Sequence, residues 1–238
     1  MWIIWLIAYY SVKNDYIIPS ISDTAKSFGE CLASKSFWLA FFYTVLRTAF
    51  AFVISFVVSA VLVVLGVIFK PFNSFIRPFM SVFRTIPTLA IVLILLLWRI
   101  PAIAPVIVTI LVLLPMIYSQ LTTAVNGVDE EIIEMAKVYK ISKSERLTKI
   151  YLPLISPAVL SQTGANISLG LKVMISAEVL AITYSSLGGL MQDARFYTDM
   201  PRLAALTIIT VLVGLLIDIC FSVLERVTFK WSRKEAND

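Results

Sequence analysis

The placement of charge constrains this chain more than any other feature. Residues 48–69, 85–98, 100–128, 154–171 and 203–217 contain no Lys, Arg, Asp or Glu, and 173–192 contains Glu178 alone. Runs of this length suit a bilayer: about 30 Å of hydrocarbon takes about 20 helical residues to cross, and lipid offers backbone groups no partner outside their own helix. Lys172 only divides one helix, so the six runs read as five spans, the third entered near Phe79. Composition agrees, with 59% hydrophobic residues, 15% charged residues and a mean hydropathy of +0.90. That balance excludes a water-soluble core. Met1 to Val12 is apolar but reaches only about 18 Å at 1.5 Å per residue. It is counted as a first span, leaning on Tyr16 to Ile18 or on residues upstream, because it lacks the basic lead and small-residue cleavage site of a signal peptide. The expectation is an all-α integral membrane protein, one domain over residues 1–238 with about six transmembrane helices. Trp2, Trp5, Tyr9 and Tyr10 fit an interfacial belt.

One charged break, residues 126–157, is too ordered to be a spacer. Asp129, Glu130 and Glu131 place negative charge at a helix start, where unpaired N–H groups favour it. Val128, Ile132, Met135, Ala136 and Tyr139 recur at three- and four-residue steps and form an apolar face. Ser142 and Glu145 then have the spacing of a capping box. Leu147, Ile150, Tyr151 and Leu154 make a second apolar stripe, and Pro153 and Pro157 mark a turn back into the bilayer. The segment reads as a two-helix elbow. An amphipathic connector lying on lipid is the plainer alternative.

Cations set the orientation. One set of alternating loops holds Lys70, Arg77, Arg84, Lys137, Lys140, Lys143, Arg146, Lys149, Arg226, Lys230, Arg233 and Lys234. The other set holds Lys13, Lys26, Lys35, Arg99, Arg195 and Arg202, with Arg47 and Lys172 inside spans. Twelve against six puts the elbow and the C-terminus in the cytoplasm by the positive-inside rule. Topology and anionic lipid therefore account for the net charge of +5, and no nucleic-acid partner is needed.

Composition also narrows the chemistry. There is no His, which excludes a His-based metal site or proton relay. Cys31 falls on the outer side and Cys220 deep in the last span, a separation that disfavours a disulfide. None of the eight glycines belongs to a Gly-x-x-x-x-Gly-Lys-Ser/Thr loop, so any ATPase motor is another chain. No cofactor, metal site or catalytic group is expected. Lys172 and Glu178 stand inside a span, where a charge costs about 2.5–3.5 kcal/mol and must face protein or water. Six residues apart, they are off one face, so a direct pair is disfavoured. They are candidates for a path or its gate, or for contacts to another span or a second subunit. Pro87 bends or begins the third span, and Pro101, Pro105 and Pro115 do so for the fourth. Tyr184 to Pro201 reads as an outer loop.

Glu134-Met135-Ala136, followed after thirteen residues by Ile150-Tyr151-Leu152-Pro153, resembles the EAA loop of permease subunits of bacterial ATP-binding-cassette importers. That pattern is Glu-Ala-Ala, three residues, Gly, nine residues, Ile-x-Leu-Pro. Met135 replaces an Ala, and Lys140 stands where the pattern has a Gly that supplies a left-handed residue. Pro19-Ser20, Leu46-Arg47, Arg77-Pro78, Arg84-Thr85-Ile86-Pro87, Asn126-Gly127-Val128, Gly170-Leu171-Lys172, Ala177-Glu178, Leu187-Gly188-Gly189-Leu190, Tyr197-Thr198-Asp199 and Leu224-Glu225-Arg226 fall in the order of the branch that moves nitrate, sulfonates, taurine, bicarbonate or vitamin precursors. Trp98-Arg99-Ile100-Pro101 departs from that branch's Trp-Phe-Gly-like turn.

The resemblance implies a type I (MetI-like) permease fold in the bacterial inner membrane, working by alternating access. It also implies cytoplasmic ATPase subunits, an external substrate-binding protein docking on the outer loop, and a second permease subunit forming a homodimer. Residues 126–157 become the coupling loop, with Glu134, Ala136 and Tyr139 as first candidates for the ATPase contact and Lys137 and Lys140 on its rim. On this reading Ala136 enters a groove of the ATPase and Glu134 sits beside it. A secondary transporter is the alternative, although the halves show no internal symmetry. A membrane-embedded enzyme would need a His or a clustered acid pair.

Overall fold

The computed structural model describes Trp5, residues 19–98 and residues 100–228. The expected span over Met1 to Val12 lies outside the described residues apart from Trp5. The helices are α1 (Ile21–Ala33), α2 (Lys35–Ile68), α3 (Lys70–Thr85), α4 (Thr88–Leu97), α5 (Ala104–Asn126), α6 (Glu130–Val138), α7 (Lys143–Arg146), α8 (Leu152–Ala181), α9 (Leu187–Phe196) and α10 (Met200–Thr228). A wide π-helical turn, Leu147–Tyr151, joins α7 to α8, so that Lys143–Ala181 runs as one helix of 39 residues.

Four helical segments are long and apolar enough to cross a bilayer: Lys35–Ile68, Ala104–Asn126, Lys143–Ala181 and Met200–Thr228. A fifth crossing requires α3 and α4 together, and these meet at an 83° bend. Pro87 is the cause, because it follows the extended Ile86, whose helical conformation a following proline disfavours. Pro105 lies in the first turn of α5, where its missing N–H is harmless, and Pro115 lies inside that helix.

Two expectations about α8 change. The elbow's second helix does not turn back at Pro153 and Pro157; both sit inside the long helix, and the missing N–H groups are absorbed by the π turn and the first turns of α8. The charge-free run extends to residue 192, but the helix ends at Ala181, just before the segment read as an outer loop. Ile182 is left-handed there (φ 50°), and the N–H of Thr183 closes the last turn on the carbonyl of Glu178 at 3.1 Å. Tyr184 to Pro201 is consequently not an open loop, because α9 occupies its middle and buries Leu187 and Ala194.

Along α2, mostly small and hydroxyl residues face inward and large apolar ones outward. The inward row of α2 is Phe37, Ala40, Thr44, Thr48, Ala51, Ser55, Ser59 and Val63, at three- and four-residue spacing. Its outward row, which includes Phe50, Val53, Val57 and Val61, is exposed. Lipid is as apolar as Leu, so close backbone approach and interhelical hydrogen bonds hold the helices together. Ser59 Oγ donates to the Leu114 carbonyl at 2.9 Å, and Ser168 Oγ to the Gly214 carbonyl at 2.7 Å. Gln120 and Asn166 exchange two amide bonds, at 3.1 and 2.7 Å, between α5 and α8. At Gly164 a Cβ would stand 2.8 Å from Phe221 Cβ, so only glycine lets α8 and α10 cross there.

Candidate functional site

The long helix carries the two places where function concentrates, one at each end.

At its C-terminal end the Glu178 side chain is fully buried. Thr44 Oγ1 donates to it at 2.9 Å, Arg47 Nη1 meets Oε1 at 3.1 Å, and the Gly188 N–H points at Oε2 from 3.3 Å. Thr44 Oγ1 in turn accepts the Leu187 N–H at 2.9 Å. The carboxylate thus ties α2, α8 and the start of α9 together. Ser186 completes the join, capping the Gly189 N–H at 2.8 Å and donating to the Thr183 carbonyl at 2.7 Å. Glycine is obligatory at 188, since a Cβ would lie 2.4 Å from that of Glu178. A buried charge is tolerable only when paired and fully hydrogen-bonded, and here both oxygens have partners. Glu178 is accordingly a structural staple inside one chain. Lys172 is not part of it; it is exposed on α8, as the rotation between the two positions requires.

Arg47, Thr44 and Gly188 escaped the residue-by-residue reading. Arg47 was placed in a span without a role, although an arginine in an apolar run is itself a signal for a buried acidic partner.

At its N-terminal end the caps expected of the elbow are present. Asp129 caps α6, accepting the Glu131 N–H at 2.9 Å. Ser142 and Glu145 form the reciprocal capping box, and Lys149 pairs with Glu145 at 2.9 Å, one turn on. Between the helices Lys140 is left-handed (φ 54°), the conformation that its place in the pattern demands. The Ile141 N–H reaches the Ala136 carbonyl, and the Lys140 N–H the Lys137 carbonyl, each at 3.0 Å. These are the two bonds of a Schellman ending.

The coupling candidates separate by face. Ala136 is 1% exposed and turned into the chain, whereas Met135, Val138 and Tyr139 point outward. The apolar face expected of α6 therefore divides: Ala136 is covered by the chain itself, while Met135 and Tyr139 stay open. Glu134 and Lys137, with Glu130, Lys143 and Arg146, line a cavity of about 830 Å³ between the elbow and the inner ends of α2, α3 and α5. Lys140 and Tyr139 stand exposed at the turn. Lys143 adds a tether, donating to the Ile68 carbonyl at 3.3 Å and satisfying an end group of α2.

Cys31 lies in the outer cluster with Phe37, Leu171, Ile175, Leu187, Leu206 and Ile209. Burial pushes its thiol above the usual range. Among the described residues no group of His, Cys, Asp and Glu could hold a metal ion.

Apolar helices bundled around polar seams, with an ordered elbow on one side, make an integral membrane bundle. Residues 63–230 match the model of the family described as binding-protein-dependent transport system inner membrane component, and the chain belongs to that family. It is an ABC importer permease subunit with a MetI-like, type I fold. It is 25% identical over 232 residues to a putative aliphatic sulfonates transport permease protein, SsuC, of Bacillus subtilis, covering 96% of this chain and 83% of that one. The SsuC of Escherichia coli K12 is 28% identical over 152 residues, 63% of this chain and 57% of that one. Among solved structures, a chain of the MetNI methionine ABC transporter in an inward-facing conformation superposes with a TM-score of 0.69 at 15% identity, over 80% of this chain and 96% of that one.

Proposed function

We propose that this chain forms the translocation path of an ATP-driven importer for a small organic anion of the sulfonate type. A separate cytoplasmic ATPase drives it through the elbow. The observation that carries the reading is the continuity of Lys143–Ala181: the helix that begins in the capping box also carries the staple at its other end. A force on the elbow is delivered to the outer half of the bundle as a rigid-body movement, whereas a flexible loop would dissipate it.

In this account Met135, Val138, Tyr139 and Lys140 present the outward surface to the ATPase, and Glu134 and Lys137 offer charges at its edge. Ala136 acts from within, as the small residue on which α6 is seated. Two copies of the chain form the path, two ATPases bind beneath them, and an external binding protein delivers the solute. The anionic cargo is supported by the relatives named for aliphatic sulfonates and by Lys172, an exposed cation within a span. The cation asymmetry supports a cytoplasmic elbow and C-terminus in the inner membrane.

The test is reconstitution of the chain with its ATPase and binding protein, followed by uptake of labelled butanesulfonate. Uptake should require ATP and the binding protein. Uptake driven by an ion gradient without ATP would replace this reading with a secondary transporter.

A further inference from the structure

Arg84 does not sit where a loop cation should. Its Nη2 donates to the carbonyl of Pro115 at 2.9 Å, and Pro115 is the middle residue of α5, with eleven helical residues on each side. At 1.5 Å per residue that is about 16 Å from either end, the centre of a hydrocarbon layer about 30 Å thick and beyond the reach of a side chain to either surface. Every residue from Ser81 to Ala90 is exposed on the chain, including the break at Ile86-Pro87 between α3 and α4. Neither a guanidinium nor irregular backbone is stable against lipid at that depth; such groups occur where they line water or are buried in protein.

The same face carries the other cation. Val92 of α4 packs with Ala177 of α8 in one cluster, and Ile91 and Val173 lie against it. Beside Val173 and Ala177, at helical spacing, α8 exposes Ser161, Ala165, Lys172 and Ser176. This row of small, hydroxyl and cationic side chains is the opposite of the apolar surface that α2 shows to lipid.

We propose that Arg84 lines the translocation path at the middle of the membrane and selects for anions there, with Lys172 further out on the same wall. The proposal rests on the reading of this chain as the path-forming subunit. Arg84 keeps a donor edge free while one nitrogen is held by Pro115, so it can meet a sulfonate with charge-assisted hydrogen bonds without losing its position. The start of α4, which has no side-chain cap, adds potential of the same sign.

The experiment uses the assembled complex of full-length chain, ATPase and binding protein, with butanesulfonate as probe. Arg84→Gln should insert and bind the ATPase normally, yet raise the half-saturating butanesulfonate concentration on the order of tenfold, as loss of one charge-assisted contact would. Arg84→Lys should recover most of that loss, which a purely packing role would not show. Independently, in a background lacking Cys31 and Cys220, Cys placed at Ser81, Arg84 or Thr88 should react with a charged, membrane-impermeant thiol reagent. Unchanged half-saturation in Arg84→Gln, or reaction of these cysteines only with a lipid-soluble reagent, would overturn the assignment. If the wild-type complex moves no butanesulfonate, the sulfonate reading fails, and the thiol reactions still decide whether Arg84 faces the path.

Discussion

The two ends of the long helix are held by different physics. At the outer end Glu178 is buried and gathers partners from α2 and α9, more than a hundred residues away on one side and ten on the other. At the inner end the bonds are local: a capping box, a Schellman turn and a Glu145–Lys149 pair whose side chains are 49% and 70% exposed. A fully buried carboxylate cannot exchange its partners without being left orphaned. Surface caps organise a segment while leaving its outer face free for another protein. In the proposed mechanism the difference separates a fixed point from a handle, as a lever requires.

The largest effect that would break this comparison is at the staple. Glu178→Ala strands Arg47 and unpairs the Gly188 N–H, so thermal stability in detergent should fall by about 3–5 kcal/mol, toward the lower end because Arg47 is 24% exposed. Membrane abundance should fall in parallel with uptake. Full abundance with lost uptake would instead make Glu178 a path or gate group.

Next comes Ala136→Glu, which forces a carboxylate into a position only 1% exposed. Unseating α6 should cost about 2–3 kcal/mol. The spans should still insert, while co-purification of the ATPase drops. Normal ATPase binding by this variant would show that the elbow is a surface connector.

Ser142→Ala removes the cap of the second elbow helix, a loss of about 1 kcal/mol. Hydrogen exchange should quicken at the amides of Lys143 to Glu145 and leave the outer end untouched. Spread of that change to Gly188 would mean that the two ends are not independent. The smallest effect sharpens the turn: Lys140→Gly relieves a left-handed lysine and should stabilise the elbow by up to about 1 kcal/mol, read as slower exchange at the Ile141 amide, with uptake unchanged.

The elbow was legible because its signals are local. Asp129, and Ser142 with Glu145, act within a few residues and appear in the structure as spacing suggests, while the left-handed Lys140 keeps the conformation of the glycine that the resemblance has there. The spans were legible from charge-free length. What could not be read was depth and direction. Arg84 follows an amphipathic stretch that resembles a cytoplasmic loop, and only the oblique run of α3 carries it to Pro115. Ala136 belongs to an apolar stripe that periodicity defines, but which neighbour the stripe meets depends on packing between distant segments. The partners of Glu178 depend on α9 folding back from a region read as a loop. Cys31 illustrates the same limit: its expected outer-side position suits it to report topology, yet it is 6% exposed, so Cys placed at Tyr184, which is 90% exposed, is the better reporter.

The most direct measurement of the central claim is a cross-link at the handle. A single Cys at Val138, a residue 79% exposed on the outward side of α6, is introduced in a background lacking Cys31 and Cys220, and the complex is treated with a short bifunctional thiol reagent in membranes. The account predicts a permease–ATPase adduct whose yield changes on ATP addition, and uptake that stops while the link is in place. If Val138→Cys yields no ATPase adduct with or without ATP, or if uptake proceeds unaltered through the linked complex, the elbow does not transmit ATPase closure to the path.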